Sequence, residues 1–158
     1  MAKVLIGFMG SGKSTLAKSL DPHYIDLDAL IEEEIGMSIA RYFQEEGQEA
    51  FRRVESKLLK QELTTDAVIA TGGGVIEDAT NRQLLSAHDE VIYLKGSFQT
   101  LYQRIAADQV NQRPLFLSKT REELEILFDK RAPLYESVAN RVIFIDGKTP
   151  EEIVEEIL

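Results

Sequence analysis

Cysteine is absent from this 158-residue sequence. That excludes disulfide scaffolds, thiolate metal sites and thiol catalysis together. Long apolar runs are missing too: the longest near the start, Val4 to Gly10, is far too short to cross a bilayer. It also lacks the length and small-residue cleavage site of a secretory signal. Basic charge is scarce. The 18 Lys and Arg against 27 Asp and Glu leave a net charge of −9. A duplex-DNA or anionic-membrane partner would need a basic face, so both are argued against. A small anionic ligand is not excluded, because a pocket's local potential can oppose the global sign. The rest is ordinary: 44% apolar and 28% charged residues, with no disordered bias and enough length for one domain with a substantial core. The composition predicts a soluble, cytoplasmic, single-domain protein.

Short β-branched runs alternate with stretches of helical period, the pattern of βαβ units and a parallel sheet. Strands are predicted at Lys3–Phe8, His23–Asp26, Ala67–Ala70, Glu90–Leu94 and Arg141–Ile145, each apolar without strict alternation, as when helices cover both faces. Helices are predicted at Lys13–Leu20 and Ala29–Ile35, then at Ile39–Glu46 behind a Ser38 cap, with Gly47 as its stop. Gln48–Leu63 follows, with Phe51, Val54 and Leu58 on one face. Ala79–Ala87 behind Asp78, Phe98–Ala107 and Arg121–Val138 come next, and Pro133 predicts a kink or break in the last of these. The final helix has Thr149 as cap, Pro150 in its first turn and Glu152 completing a capping box. Residues 28–47 and 108–119 fit this scheme poorly, and insertions of that kind on an α/β scaffold are where substrate sites and lids usually sit.

Gly7-Phe8-Met9-Gly10-Ser11-Gly12-Lys13-Ser14 matches the phosphate-binding loop G-x-x-x-x-G-K-[ST], after an apolar strand and at the start of a helix. Glycine at 7, 10 and 12 lets backbone N–H groups turn toward phosphate oxygens with no Cβ in the way. The helix end after Gly12 adds partial positive charge. Lys13 would reach the β- and γ-phosphates, and the Ser14 hydroxyl can ligate Mg²⁺. No Asn-Lys-x-Asp guanine-reading motif is present, which speaks against a GTPase. Neither Val68–Ala70 nor Val91–Leu94 ends in the aspartate that a large ATPase would place there.

The first carboxylates near a strand end are Asp26 and Asp28. Either Asp26 assists Mg²⁺ and Asp28 faces an acceptor hydroxyl, or both cap the following helix. Arg52 and Arg131 suit bidentate recognition of a carboxylate, although a solvated helix face is the commoner place for a lone arginine. Gly72, Gly73 and Gly74 directly follow the third strand, where ligands bind in open α/β sheets. Arg113 is a candidate lid arginine or simply an exposed loop residue. Phe51 and Tyr135 are either pocket lining or core, and His23 and His88 carry no assigned role.

Read together, these stretches resemble shikimate kinase over essentially the whole chain. The resemblance rests on the loop through Thr15, on Asp26 and Asp28, Ile31 and Glu32, and Gly36 through Ile39. It continues through Glu46 to Glu55, Gly72 to Gly74, Arg113 to Leu115 and Lys130 to Tyr135. It implies a three-layer α/β P-loop kinase fold with a five-stranded parallel sheet, a helical substrate-binding insertion at 28–63 and a lid at 108–119, all in one domain spanning 1–158. It implies Mg²⁺- and ATP-dependent phosphorylation of the 3-hydroxyl of shikimate, toward chorismate and the aromatic amino acids, by a monomer. By position, Lys13, Asp28 and Arg113 would be catalytic, and Ser14 and Asp26 would serve the metal. ATP would be bound by Gly10, Ser11, Gly12, Lys13, Ser14, Thr15 and Arg113, with Arg104 and Lys148 near the adenine. Asp28, Arg52, Gly72, Gly73, Gly74 and Arg131 would bind shikimate, with both arginines on its carboxylate.

Three positions depart from the family's pattern: a short helix after the loop ending at Asp21-Pro22, Leu27 between the aspartates, and Lys148 where arginine is frequent. None removes a group that would touch a substrate. Two rivals remain: a gluconate-type sugar-acid kinase on the same fold, and a nucleotide-binding regulatory module without transfer. The Phe51-Arg52-Arg53, triple-glycine and Arg131-to-Tyr135 set speaks against the first. Two aspartates and three separated arginines speak against the second.

Overall fold

The computed structural model describes residues 1–108 and 118–158. Five strands form one parallel sheet: β1 (Lys3–Ile6), β2 (Ile25–Asp26), β3 (Val68–Ala70), β4 (Val91–Lys95) and β5 (Arg141–Phe144), in the order β2-β3-β1-β4-β5. Successive residues of a strand point to opposite faces, yet Val4, Leu5 and Ile6 and all of Val91–Leu94 are buried. Helices therefore cover both faces, which is why these strands read as continuous apolar runs. β5 closes one edge and leaves Val142 and Phe144 exposed.

Seven helices surround the sheet among the described residues: α1 (Lys13–Leu20), α2 (Leu27–Ile35), α3 (Ile39–Leu63), α4 (Ala79–Ser86), α5 (Phe98–Ala107), α6 (Arg121–Val138) and α7 (Pro150–Ile157). The predicted caps hold at Ser38, Asp78 and Thr149, and Thr120 caps α6 as well; Thr120 and Thr149 form full capping boxes with Glu123 and Glu152. Gly47 interrupts α3 with φ 85° and ψ 170°, so the two predicted segments abut across one non-helical residue.

Most strand ends differ from expectation by one or two residues, and two differences have a physical reason. The second helix begins at Leu27 rather than Ala29, because the Asp26 carboxylate accepts the Ala29 N–H at 3.2 Å and caps it two residues early. The second strand shrinks to Ile25–Asp26 accordingly. Pro133 does not break its helix: α6 runs through to Val138. Proline removes one ladder hydrogen bond, and the burial of Leu124, Arg131, Tyr135 and Val138 along the same helix outweighs that loss.

Register aligns the carboxyl ends of three strands. Ala70 pairs with Leu5 on one side and with Asp26 on the other. Thr71 locks that level, its hydroxyl donating to the Leu5 carbonyl at 2.9 Å. The loops that leave β1, β2 and β3 therefore emerge side by side, beside the central strand where the strand order reverses.

Candidate active site

The loop between β1 and α1 is shaped by its glycines. Gly12 has φ 88° and is the N-cap of α1, and a Cβ there would meet nothing within 4 Å. Its side of the loop is an open cradle, and left-handed backbone is what selects glycine. Gly10, with φ 83°, lies against α5, where a Cβ would stand 2.9 Å from both Ile105 Cγ1 and the Leu101 carbonyl. Lys13 Nζ donates to the Gly7 carbonyl at 2.6 Å and to the Phe8 carbonyl at 3.2 Å, which places the ammonium across the loop's mouth. The Ser11 hydroxyl is buried with no hydrogen-bond partner among the described residues and lies 2.9 Å from where a Cβ on Gly7 would stand. Ser14 and Thr15 are exposed at the first turn of α1.

Gly72, Gly73 and Gly74 do something the sequence did not reveal. None of them adopts positive φ, so turn geometry does not select them. Space does. A Cβ on Gly72 would stand 2.8 and 3.0 Å from the two Asp28 carboxylate oxygens. One on Gly73 would stand 3.3 Å from Arg131 Nη1 and 3.6 Å from the Met9 backbone nitrogen. One on Gly74 would stand 2.8 Å from Arg52 Nη2 and 3.2 Å from Arg131 Nη2. The three glycines thus form a floor on which a carboxylate and two guanidinium groups converge beside the phosphate loop. Arg131 also lies 5.9 Å from the Phe8 ring centroid. Tyr135, one helical turn after Arg131, donates its hydroxyl to the Gly73 carbonyl and ties α6 to this floor.

Burial settles the arginine alternatives. Arg131 is 5% exposed, and the Arg52 side chain is 13% exposed, so neither sits on a solvated face. Arg52 Nη1 donates to Glu55 at 2.7 Å, and Asn81 Nδ2 donates to the same Glu55 oxygen at 2.9 Å. Arg131 Nη2 donates to Glu77 at 3.1 Å. The Nε–H of each arginine is buried without a partner among the described residues. Two buried cations whose guanidinium groups converge on one floor form an arrangement that a carboxylate satisfies.

Asp28 is the perturbed acid. Burial raises its pKa above the ordinary carboxylate value, the neighbouring Asp26 charge adds to the rise, and Lys13 and Arg52 oppose it. Glu55 is also raised by burial, against the pull of its bond from Arg52. Of the two readings open for Asp26, the cap is present: one oxygen accepts the Ala29 N–H; its charge also bears on Asp28. Phe51 and Tyr135 are buried core, with Phe51 stacked on Phe43 at 4.7 Å between ring centroids. Glu77 and Asn81 were missed, because their partners lie on other elements and no local spacing signals them.

Arg104 is exposed on α5, the helix against which Gly10 packs. Lys148 pairs with Glu156 at 2.7 Å. The loop carrying Lys148 is joined to the start of α5, since the Asp146 carboxylate accepts the Ser97 N–H at 3.1 Å. Arg113 lies outside the described residues. Among the described residues no group of three or more His, Asp and Glu is arranged to hold a metal, and no helix is long and apolar enough to cross a membrane.

A family model described as shikimate kinase matches residues 9–158. A shikimate kinase of Streptococcus gordonii is 48% identical over 156 residues, covering 98% of this chain and 97% of that protein. The structure of shikimate kinase from Acinetobacter baumannii in complex with shikimate superposes with a TM-score of 0.86 at 33% identity, covering 99% and 89% of the two chains. A gluconokinase from Sinorhizobium meliloti shares the fold, with a TM-score of 0.60 at 19% identity over 99% and 89%.

Proposed function

The chain belongs to the shikimate kinase family, and from that premise we propose how its residues divide the work. The reaction moves the γ-phosphoryl group of ATP to the 3-hydroxyl of shikimate. Gly10 through Thr15 cradle the phosphates, with Lys13 and the amino end of α1 facing the charge that develops on them. Arg52 and Arg131 hold the acceptor's carboxylate through the guanidinium groups that converge over Gly73 and Gly74. Asp28, between Lys13 and the glycine floor, orients the 3-hydroxyl and accepts its proton as the oxygen attacks phosphorus and ADP departs. Its raised proton affinity suits that task.

The observation that carries this reading is the convergence of Asp28, Arg52 and Arg131 on Gly72, Gly73 and Gly74 beside the phosphate loop. Residues 28–63 form the acceptor-binding segment; the lid assigned by resemblance to 108–119, with Arg113, falls mostly outside the described residues. Arg104 and the Lys148 loop, joined through Ser97 and Asp146, flank the adenine.

Ser14 and Asp26 fit Mg²⁺. Both offer hard oxygen, and Asp26 gives only one of its oxygens to the α2 cap. Mg²⁺ is usually held by one or two protein oxygens together with substrate phosphates, so no larger cluster is required. When bound it would neutralise charge on the β- and γ-phosphates. ATP as donor, an acidic surface and a single compact core fit a cytoplasmic monomer.

ADP release from Mg·ATP, with shikimate and with gluconate as parallel acceptors, tests the reading. Shikimate-dependent release with low background is expected. Release stimulated by gluconate alone would overturn the acceptor assignment.

A further inference from the structure

Glu77 is the residue of this site with no role so far. It ends the 3-10 turn Val75–Glu77 that follows the glycine floor. One of its oxygens accepts from Arg131 Nη2 at 3.1 Å and lies 3.8 Å from Arg52 Nη2. The other lies 3.8 Å from Lys130 Nζ. Among the described residues it is the one carboxylate shared by both arginines. Its backbone is fixed on either side: the Glu77 N–H donates to the Gly74 carbonyl at 3.0 Å, and Arg82 donates to the Ile76 carbonyl at 2.7 Å.

The physical problem that this solves is repulsion. Arg52 comes from α3 and Arg131 from α6, and their Nη2 groups approach the same point over Gly74, at 2.8 and 3.2 Å from it. Both are largely removed from water, where two like charges repel strongly. Glu55 answers Arg52 alone. Without a second anion the guanidinium groups would separate until a substrate arrived.

We propose that Glu77 is a positioning residue that holds Arg52 and Arg131 together as one carboxylate-binding unit in the acceptor-free enzyme. The proposal rests on the reading that these arginines bind the acceptor's carboxylate. Glu77 engages only Nη2 of each arginine, so an acceptor carboxylate that takes another N–H of the two guanidinium groups binds beside it without displacing it. Its substitution therefore weakens acceptor binding, and a competitor for the carboxylate site would do the reverse.

Glu77→Gln keeps the length and an oxygen for Arg131 but loses the charge that both arginines share. Steady-state kinetics should show KM for shikimate raised about tenfold, with kcat and KM for ATP close to the parent values. KM for shikimate methyl ester, which has no carboxylate charge, should not move. An unchanged or lowered KM for shikimate, or an equal rise for the ester, overturns the proposal. Should Glu77→Gln fail to fold, Glu77→Asp repeats the test, since its shorter stem cannot reach both guanidinium groups. The parent enzyme tests the underlying reading separately: equal KM values for shikimate and its ester would remove the arginines from the carboxylate and the proposal with them.

Discussion

Asp28 and Gly72 lie so close that no side chain fits between them: a Cβ on Gly72 would stand 2.8 Å from an Asp28 oxygen. Real Cβ atoms do not approach oxygen that closely. The acid's position is therefore set partly by the absence of an atom on a strand-end residue. The same loop, two residues on, makes the same allowance for Arg52 and Arg131.

Gly72→Ala and Gly74→Ala should therefore separate two functions on one loop. Gly72→Ala displaces the Asp28 carboxylate and lowers kcat. Gly74→Ala pushes on Arg52 and Arg131 and raises KM for shikimate. Gly74 has φ −91°, so alanine adds no backbone strain and the melting temperature should change little. Identical kinetic effects from both variants would contradict this division.

Asp28→Asn should lower kcat by roughly 10²–10⁴-fold, the usual contribution of a positioned acid or base. ATP affinity, measured calorimetrically, should stay near the parent value because the lost group serves the acceptor. Turnover close to normal would take Asp28 out of the mechanism.

The same variant should be more stable at neutral pH. Folding raises the Asp28 pKa above its ordinary 3.8, so the native state holds this proton more tightly than the unfolded chain. The ionised carboxylate then costs stability as pH rises above 3.8. The gain in Tm from Asp28→Asn should be present at pH 7 and shrink as pH falls toward that value. In the parent enzyme Asp28 should contribute an acid limb to kcat above its ordinary 3.8, and that contribution should be lost in the variant.

Arg131→Ala should cost about 2–5 kcal/mol of acceptor affinity, a rise in KM of roughly thirtyfold or more. It removes one donor to the acceptor and strips Glu77 of its 3.1 Å hydrogen bond. An unchanged KM for shikimate would place the carboxylate site elsewhere.

What could be read in advance was whatever is local in the chain. The Ser38 and Thr149 caps and the Gly47 break depend on neighbours within four residues, and the phosphate loop is written in eight consecutive residues, so each was legible although the loop also packs on α5. The early start of α2 was hidden because capping was one of two readings open at Asp26 and only geometry decides that it caps. Glu77 was hidden for a different reason: its partners Arg52 and Arg131 come from α3 and α6. The triple glycine was noticed, but for backbone approach to a ligand. The crowding of three charged side chains above it is a property of the folded chain alone.

The central position of β1 bears on the protein's biogenesis. Its ladder partners are β3, through Lys3 and Val68, and β4, through Val4 and Val91. Both are translated long after it. Until they leave the ribosome the apolar stretch Val4–Ile6 has no native strand to pair with, which leaves it open to association between nascent chains. The loop that follows β1 cannot take its working shape in that interval, because Thr71, α5 and the glycine floor against which it is moulded do not yet exist as structure. The nucleotide can therefore assist folding only at its last stages, after most of the sheet has assembled.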